Sequence, residues 1–406
     1  MASIFSVGVR KVSTVDCLTR LCKIPKNHNA TQVAFMVRLA QQEPRKKPAP
    51  FPYWKKSYNM FYQMIDPMTY RFDENTKLVV VDGLPAVGKT KLCQQLAKEF
   101  GLLYMPAPSH EQYYINAYGF DTRQLDPQLP QLAQSYDLQR FHQNPTDKRV
   151  AFFQLLYFLM RFEQYANSLL HLLSTGQGVI LDRSVYSDFV FGTAMVNAGY
   201  ISKAALNVIT NMTNKGAKYL LKPHLSIYLD VPLELENIKQ RGVPYEVNSK
   251  AFTPSYLADL ERIYKDRYLK ESALSSHLLI YDWSKGGNLE DVVEDIEALD
   301  FDNEVDGKLT DWTFASISDI ISYRRTYDVN MSQLYNEMYR NDEKVNWPRE
   351  LYLDAEEQET MDNVFENVSI LFCFYKGGEH DFSEPGHRKS ESEEDSLNIC
   401  VYLVRE

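Results

Sequence analysis

An α/β fold, with a parallel five-stranded sheet flanked by helices, is what this 406-residue sequence predicts. Three observations carry the expectation. Short apolar runs alternate with helix-spaced segments from about residue 75 to 300. A glycine-rich turn with phosphate-loop spacing joins the first of those runs to the first helix. The composition is globular, 44% hydrophobic and 24% charged, without a run of about 18 apolar residues.

Residues 1–40 come first. Residues 1–65 hold eleven Lys and Arg against Asp16 and Glu43, about +9; with a total of −10, the remainder carries about −19. The acid-poor, Arg- and Ser-bearing start reads as a mitochondrial transit peptide and basic arm, with a disordered arm as the plainer alternative. Arg10, Lys11, Arg20 and Lys23 interrupt every apolar stretch a secretory signal would need. Residues 41–74 read as an extended aromatic and basic connector. Its core, "FPYWKKSYNMFYQMIDPMTYRF" (51–72), suits a strap on a partner or on its own domain equally.

Residues 75–303 carry the sheet. "KLVVV" (77–81), "LLYM" (102–105), "GVILD" (178–182), "HLSIYLDVP" (224–232) and "HLLIYDW" (277–283) are the five strands. "TKLCQQLAKEF" places Leu92, Leu96 and Phe100 four apart, a helical face. Residues 150–176 form a long apolar helix ending at Gly176. Residues 304–406 form an extension, partly helical and partly disordered. Within it, 312–347 reads as polar helix, 367–375 as an isolated strand-like run, and 383–396 as disordered.

An acidic body is a poor match for nucleic acid, so none is expected as a partner. The five Cys are scattered and the eight His lack ligand spacing.

"GLPAVGKT" fits G-x-x-x-x-G-K-[ST] through Gly83, Gly88, Lys89 and Thr90. Glycines let successive backbone N–H groups face a phosphate, and the following helix adds its positive end. Lys89 reaches the outer phosphates and the Thr90 hydroxyl can hold Mg²⁺. The preceding strand and following helix are the context this pattern needs, which makes the fold that of a P-loop NTPase. The third strand ends in Asp182, placed for Mg²⁺, and Arg183, placed for phosphate; a strand-end salt bridge is the alternative.

These stretches, with "FFQLLYFLM", "DRSVYSDF" and "YLDVPLELENIKQRG", resemble the deoxynucleoside kinases in the same order over about 75–300. "GLPAVGKTKLCQQLAKEFGLLYMP", "DRSVYSDFVFGTAMVNAGYISK", "KPHLSIYLDVP" and "VVEDIEALDFD" resemble more closely one branch, the 42 kDa accessory subunits of mitochondrial complex I. The resemblance implies a matrix location on the inner membrane, other complex I subunits as partners, membrane contact only through the complex, and no part in electron transfer. It implies a pocket for ATP, ADP or a deoxynucleotide with Mg²⁺. Gln154 matches the glutamine that reads the base, or is a helix-surface glutamine. FAD is attributed to the branch, but no G-x-G-x-x-G stands at a strand–helix junction here.

Two departures set the expected function. Active kinases of the family carry a Glu before Pro after the second strand, as general base; here Met105 precedes Pro106, and Glu111 is the nearest carboxylate. A positioned base is worth about 10²–10⁴-fold in rate. The family lid alternates four arginines, whereas this chain has Asn237, Lys239, Arg241 and Val243. Such arginines contribute about 10³–10⁵-fold. The expectation is a non-catalytic accessory subunit with no catalytic residue, a pseudo-kinase that keeps a nucleotide pocket. The alternative is an active mitochondrial deoxynucleoside kinase using Mg-ATP, with Glu111 or Asp182 as base.

Overall fold

The computed structural model describes residues 35–42, 45–116, 119–231, 248–301, 308–339 and 347–373. The transit-peptide reading up to residue 34, the lid positions including Arg241, and the disordered reading of 383–396 lie outside the described residues.

Five parallel strands form the sheet: β1 (Leu78–Gly83), β2 (Leu103–Met105), β3 (Val179–Asp182), β4 (Leu225–Asp230) and β5 (His277–Asp282). Their order is β2-β3-β1-β4-β5. β1 is central and buried along its whole length, as a Val-rich run covered on both faces must be. The chain turns from β1 to one side of the sheet for β2 and β3, then crosses to the other for β4 and β5. That reversal opens a crevice at the carboxyl ends of β1 and β3, where ligands of such sheets bind. The register sets Val81 against Asp182 on one side and Ile227 on the other.

Helix α1 (Met60–Ile65) precedes the sheet. Between the strands lie α2 (Lys89–Phe100), α3 (His110–Tyr114), α4 (Leu138–Gln143), α5 (Val150–Thr175), α6 (Asp188–Asn197) and α7 (Lys203–Ala217). Further on, α8 (Pro254–Ile263) runs through a π-helical turn, Tyr264–Tyr268, into α9 (Leu269–Ser275). α10 (Leu289–Glu297), α11 (Ile317–Tyr327), α12 (Met331–Tyr339) and α13 (Ala355–Cys373) complete the described helices.

α2 buries Leu92, Leu96 and Phe100, the face its spacing predicts. α5 is apolar on most sides and is therefore buried on most sides. It stops at Gly176, which adopts φ +74; a Cβ there would approach the Arg71 carbonyl oxygen to 2.4 Å.

The run expected as a strand at 367–375 is helical to Cys373, as the end of α13. A short apolar run does not distinguish strand from helix by its own period. Here residues 355–366 have already begun a helix whose Met361 packs with Leu125, Leu129 and Leu353, and extending a helix is easier than starting a strand without a neighbour. The connector is not extended throughout. Asn59 caps α1 by accepting from the Tyr62 amide, while Phe51, Tyr58 and Met68 enter the main core.

Candidate functional site

The phosphate loop runs from the end of β1 into α2. Gly83 has φ +150, and a Cβ there would meet the Leu229 carbonyl oxygen at 2.9 Å, so β4 leaves room only for glycine. Gly88 is the N-cap of α2 with φ +94, where the need is conformational. Ala86 also has a positive φ, 59°. A non-glycine residue held there is the kind of backbone strain that binding sites retain.

Lys89 is buried, and its Nζ donates to the Leu84 carbonyl at 2.7 Å. Burial pushes its pKa down to about 8, with the charge of Arg183 acting in the same direction. An anion in the loop would relieve both effects. The Thr90 hydroxyl donates to Asp182 Oδ2 at 2.7 Å, so the two expected Mg²⁺ ligands stand side by side. Arg183 has φ +67 and lies over the Phe191 ring at 4.3 Å. One of its terminal nitrogens donates to the Gly83 carbonyl at 3.3 Å, while buried Nε has no partner among the described residues. Six expected residues from two segments thus converge: Gly83 and Gly88 shape the loop, and Lys89, Thr90, Asp182 and Arg183 line it.

Behind the loop lies Asp82, fully buried. Tyr264 and Tyr268, presented by the π-helical turn, donate their hydroxyls to its two oxygens. Burial pushes this carboxyl up, against the Tyr268 hydrogen bond and the nearby cations. A π-turn shifts the helix register by one residue, and here that brings both hydroxyls onto one carboxyl group.

Gln154 is not a surface glutamine. It is buried, and its Nε2 donates to Asp188 Oδ2 at 2.9 Å. Asp188 pairs through its other oxygen with Arg161 Nε at 3.4 Å. Gln154 and Arg161 are seven residues apart, two turns along one face of α5. Burial pushes Asp188 up to about 6, against the positive charges of Arg161 and Arg183. Arg183 therefore links this polar cluster to the phosphate loop. Arg161 Nη1 and His110 Nε2 are buried without a partner among the described residues. The His110 ring stacks on Phe153 with centroids 5.1 Å apart. Sequence reasoning singled out Gln154 alone here. The seven-residue interval to Arg161 was a legible signal; the arrival of Asp188 from α6 was not.

No carboxylate stands between Met105 and His110 after β2. The chain there runs Met105, Pro106, Ala107, Pro108, Ser109, His110, and Glu111 is exposed on α3. Asp182 is engaged with Thr90.

The fold and the loop geometry together define a P-loop NTPase fold of the kinase type. The deoxynucleoside kinase family model matches residues 79–311, more than half of the chain. The mouse protein named NADH dehydrogenase (ubiquinone) 1 alpha subcomplex subunit 10, mitochondrial, is 36% identical over 253 residues, covering 61% of this chain and 69% of that one. The Bos taurus protein of the same name is 35% identical over 245 residues, with 59% and 69% covered. A deoxyguanosine kinase of Dictyostelium discoideum is 25% identical over 235 residues, with 57% and 73% covered. The chain belongs to the deoxynucleoside kinase family and, within it, to the branch of the alpha subcomplex subunits 10.

Proposed function

We propose that the chain is a non-catalytic accessory subunit of mitochondrial respiratory complex I, on the matrix side of the inner membrane. There it supports assembly or stability and keeps a nucleotide pocket. One observation carries this reading. The phosphate grip is assembled, while the segment after β2 offers no carboxylate between Met105 and His110. The names of its relatives support membership of the complex.

The residues present fit a magnesium nucleotide. Lys89 is a buried cation and Arg183 a half-buried one at the loop, and the buried Arg183 Nε is a donor still to be satisfied. Thr90 and Asp182 would hold Mg²⁺, which when bound offsets phosphate charge. Gln154, Asp188 and Arg161 would meet the polar edge of a nucleoside base. Such a ligand stabilises the fold by mass action without being turned over. No role is proposed for a flavin, because the strand–helix turn is a phosphate loop.

A second reading, an active deoxynucleoside kinase using Mg-ATP, draws on the same intact Lys89, Thr90 and Asp182. It needs Glu111 or Asp182 to act as base. Depleting the chain and measuring full-size complex I by native gel with NADH-dehydrogenase staining tests the first reading. Loss of the complex, restored by a wild-type copy, is expected. An unchanged complex with the chain migrating alone would favour the kinase.

A further inference from the structure

Helix α1 carries an apolar face that the described residues leave exposed. Met60 is 77% exposed, Phe61 64%, Met64 82% and Ile65 58%, and Tyr70 just beyond is 78% exposed. Positions i, i+1, i+4 and i+5 lie on one side of a helix. The opposite side is anchored. Tyr62 meets Phe51 with ring centroids 5.2 Å apart. At one end Tyr58 is buried beneath the Arg324 guanidinium, 3.5 Å from its ring, and its amide donates to Asp328 Oδ2 at 3.1 Å. At the other end the Asp66 carboxylate is held by Arg71 and, at 2.8 Å, by Arg324. The five apolar side chains are therefore displayed on a fixed platform, which lowers the ordering cost of contact.

Charge and composition say what covers this face. Residues 45–65 contain Arg45, Lys46, Lys47, Lys55 and Lys56 and no acid; Arg45 pairs with Glu74 and Lys47 with Asp73. Lys55 and Lys56 are exposed, and Lys56 lies 5.9 Å from the centroid of the Tyr62 ring of α1. Methionine with aromatic residues is the composition of protein-interface cores, inside a polar rim. An anionic lipid surface would be a plane facing the acidic body as well as the helix, and that body repels it. A protein groove touches the basic edge alone, and charges farther away are screened within about 10 Å.

We propose that the Met60–Phe61–Met64–Ile65 face, with Tyr70, is the surface by which the chain docks on another subunit of its complex, one presenting an apolar groove with an acidic rim. This rests on the reading of the chain as a subunit, and its test separates the two claims. Wild-type chain, Phe61→Asp/Met64→Asp, the milder Met60→Ser/Met64→Ser, and Lys55→Glu/Lys56→Glu each replace the endogenous chain in mitochondria. Their share in the full-size complex is read on native gels. All four should melt at the same temperature, since the altered side chains face solvent. The Asp pair should reduce incorporation at least about tenfold, as loss of an interface anchor does, with the Ser pair intermediate and the Glu pair reduced. Normal incorporation of the Asp and Ser pairs, with wild type in the complex, would overturn the docking surface alone. Wild type absent from the complex would overturn the subunit reading with it. If wild type but not the Asp pair sediments with cardiolipin-containing vesicles, the partner is a membrane and the proposal fails.

Discussion

At the scale of single residues, the site is governed by buried charge. Lys89 stands at about 8 because burial and Arg183 both disfavour its ammonium form. Under the proposed reading, a magnesium nucleotide at about a hundred times its Kd adds about 2.7 kcal/mol to stability. Lys89→Ala should abolish most of the corresponding rise in Tm and leave the ligand-free Tm close to wild type; a retained rise would remove Lys89 from the site. Asp188 makes a second prediction. Its folded pKa is raised to about 6 from 3.8, so the folded state holds a proton that the unfolded state has released. The associated stability is present below about pH 4 and lost as pH rises through 6. His110, His142 and His171 act oppositely. Burial pushes each down to about 4, so their contribution is lost as pH falls through that value. The Asp188 term is therefore read as a difference: wild type minus Asp188→Asn should fall between about pH 4 and 6. A flat difference would mean that Asp188 titrates normally.

At the scale of elements, legibility followed the range of the interaction. The phosphate loop and the Gly176 end of α5 were readable because glycine spacing and helical period are local. Asp188 meeting Gln154, and the Tyr264–Tyr268 turn clasping Asp82, depend on segments brought together by the sheet, and no local pattern announces them. The strand expected at 367–375 failed for a related reason, since its state is set by the helix preceding it. The connector shows the same dependence. Its aromatic residues left two dockings open, and Arg324, 258 positions after Asp66, anchors it to α11. Arg324 is fully buried. Burial pushes its own pKa down, while its hydrogen bond to Asp66 pulls it back up. Arg324→Leu leaves Asp66 with Arg71 alone and removes the guanidinium from the Tyr58 and Phe51 rings; it should cost about 1–3 kcal/mol, with faster proteolysis between residues 51 and 72. Unchanged protease resistance would show that the connector is held by its aromatic residues alone. At the end of α5, Gly176→Ala should cost at least about 1–3 kcal/mol from the left-handed backbone alone, since the Arg71 carbonyl leaves a Cβ no room. A smaller loss in urea unfolding would mean that the turn rearranges.

At the scale of the whole molecule, the sheet order places the phosphate loop at its switch point, and the family membership explains that loop by descent. The matched family and the fold agree on a kinase framework. The segment after β2 departs from the kinase pattern in a way that bears directly on proton removal. The proposed account is thus a framework that holds a nucleotide and does not transfer its phosphate. The most direct test uses one preparation of the purified chain for two readings: Mg-ATP binding by calorimetry, and phosphate transfer to a panel of deoxynucleosides. The account predicts binding that Lys89→Ala removes, with transfer far below an ordinary kinase rate of about 1–100 s⁻¹. Transfer within that range, lost in the same variant, would contradict it.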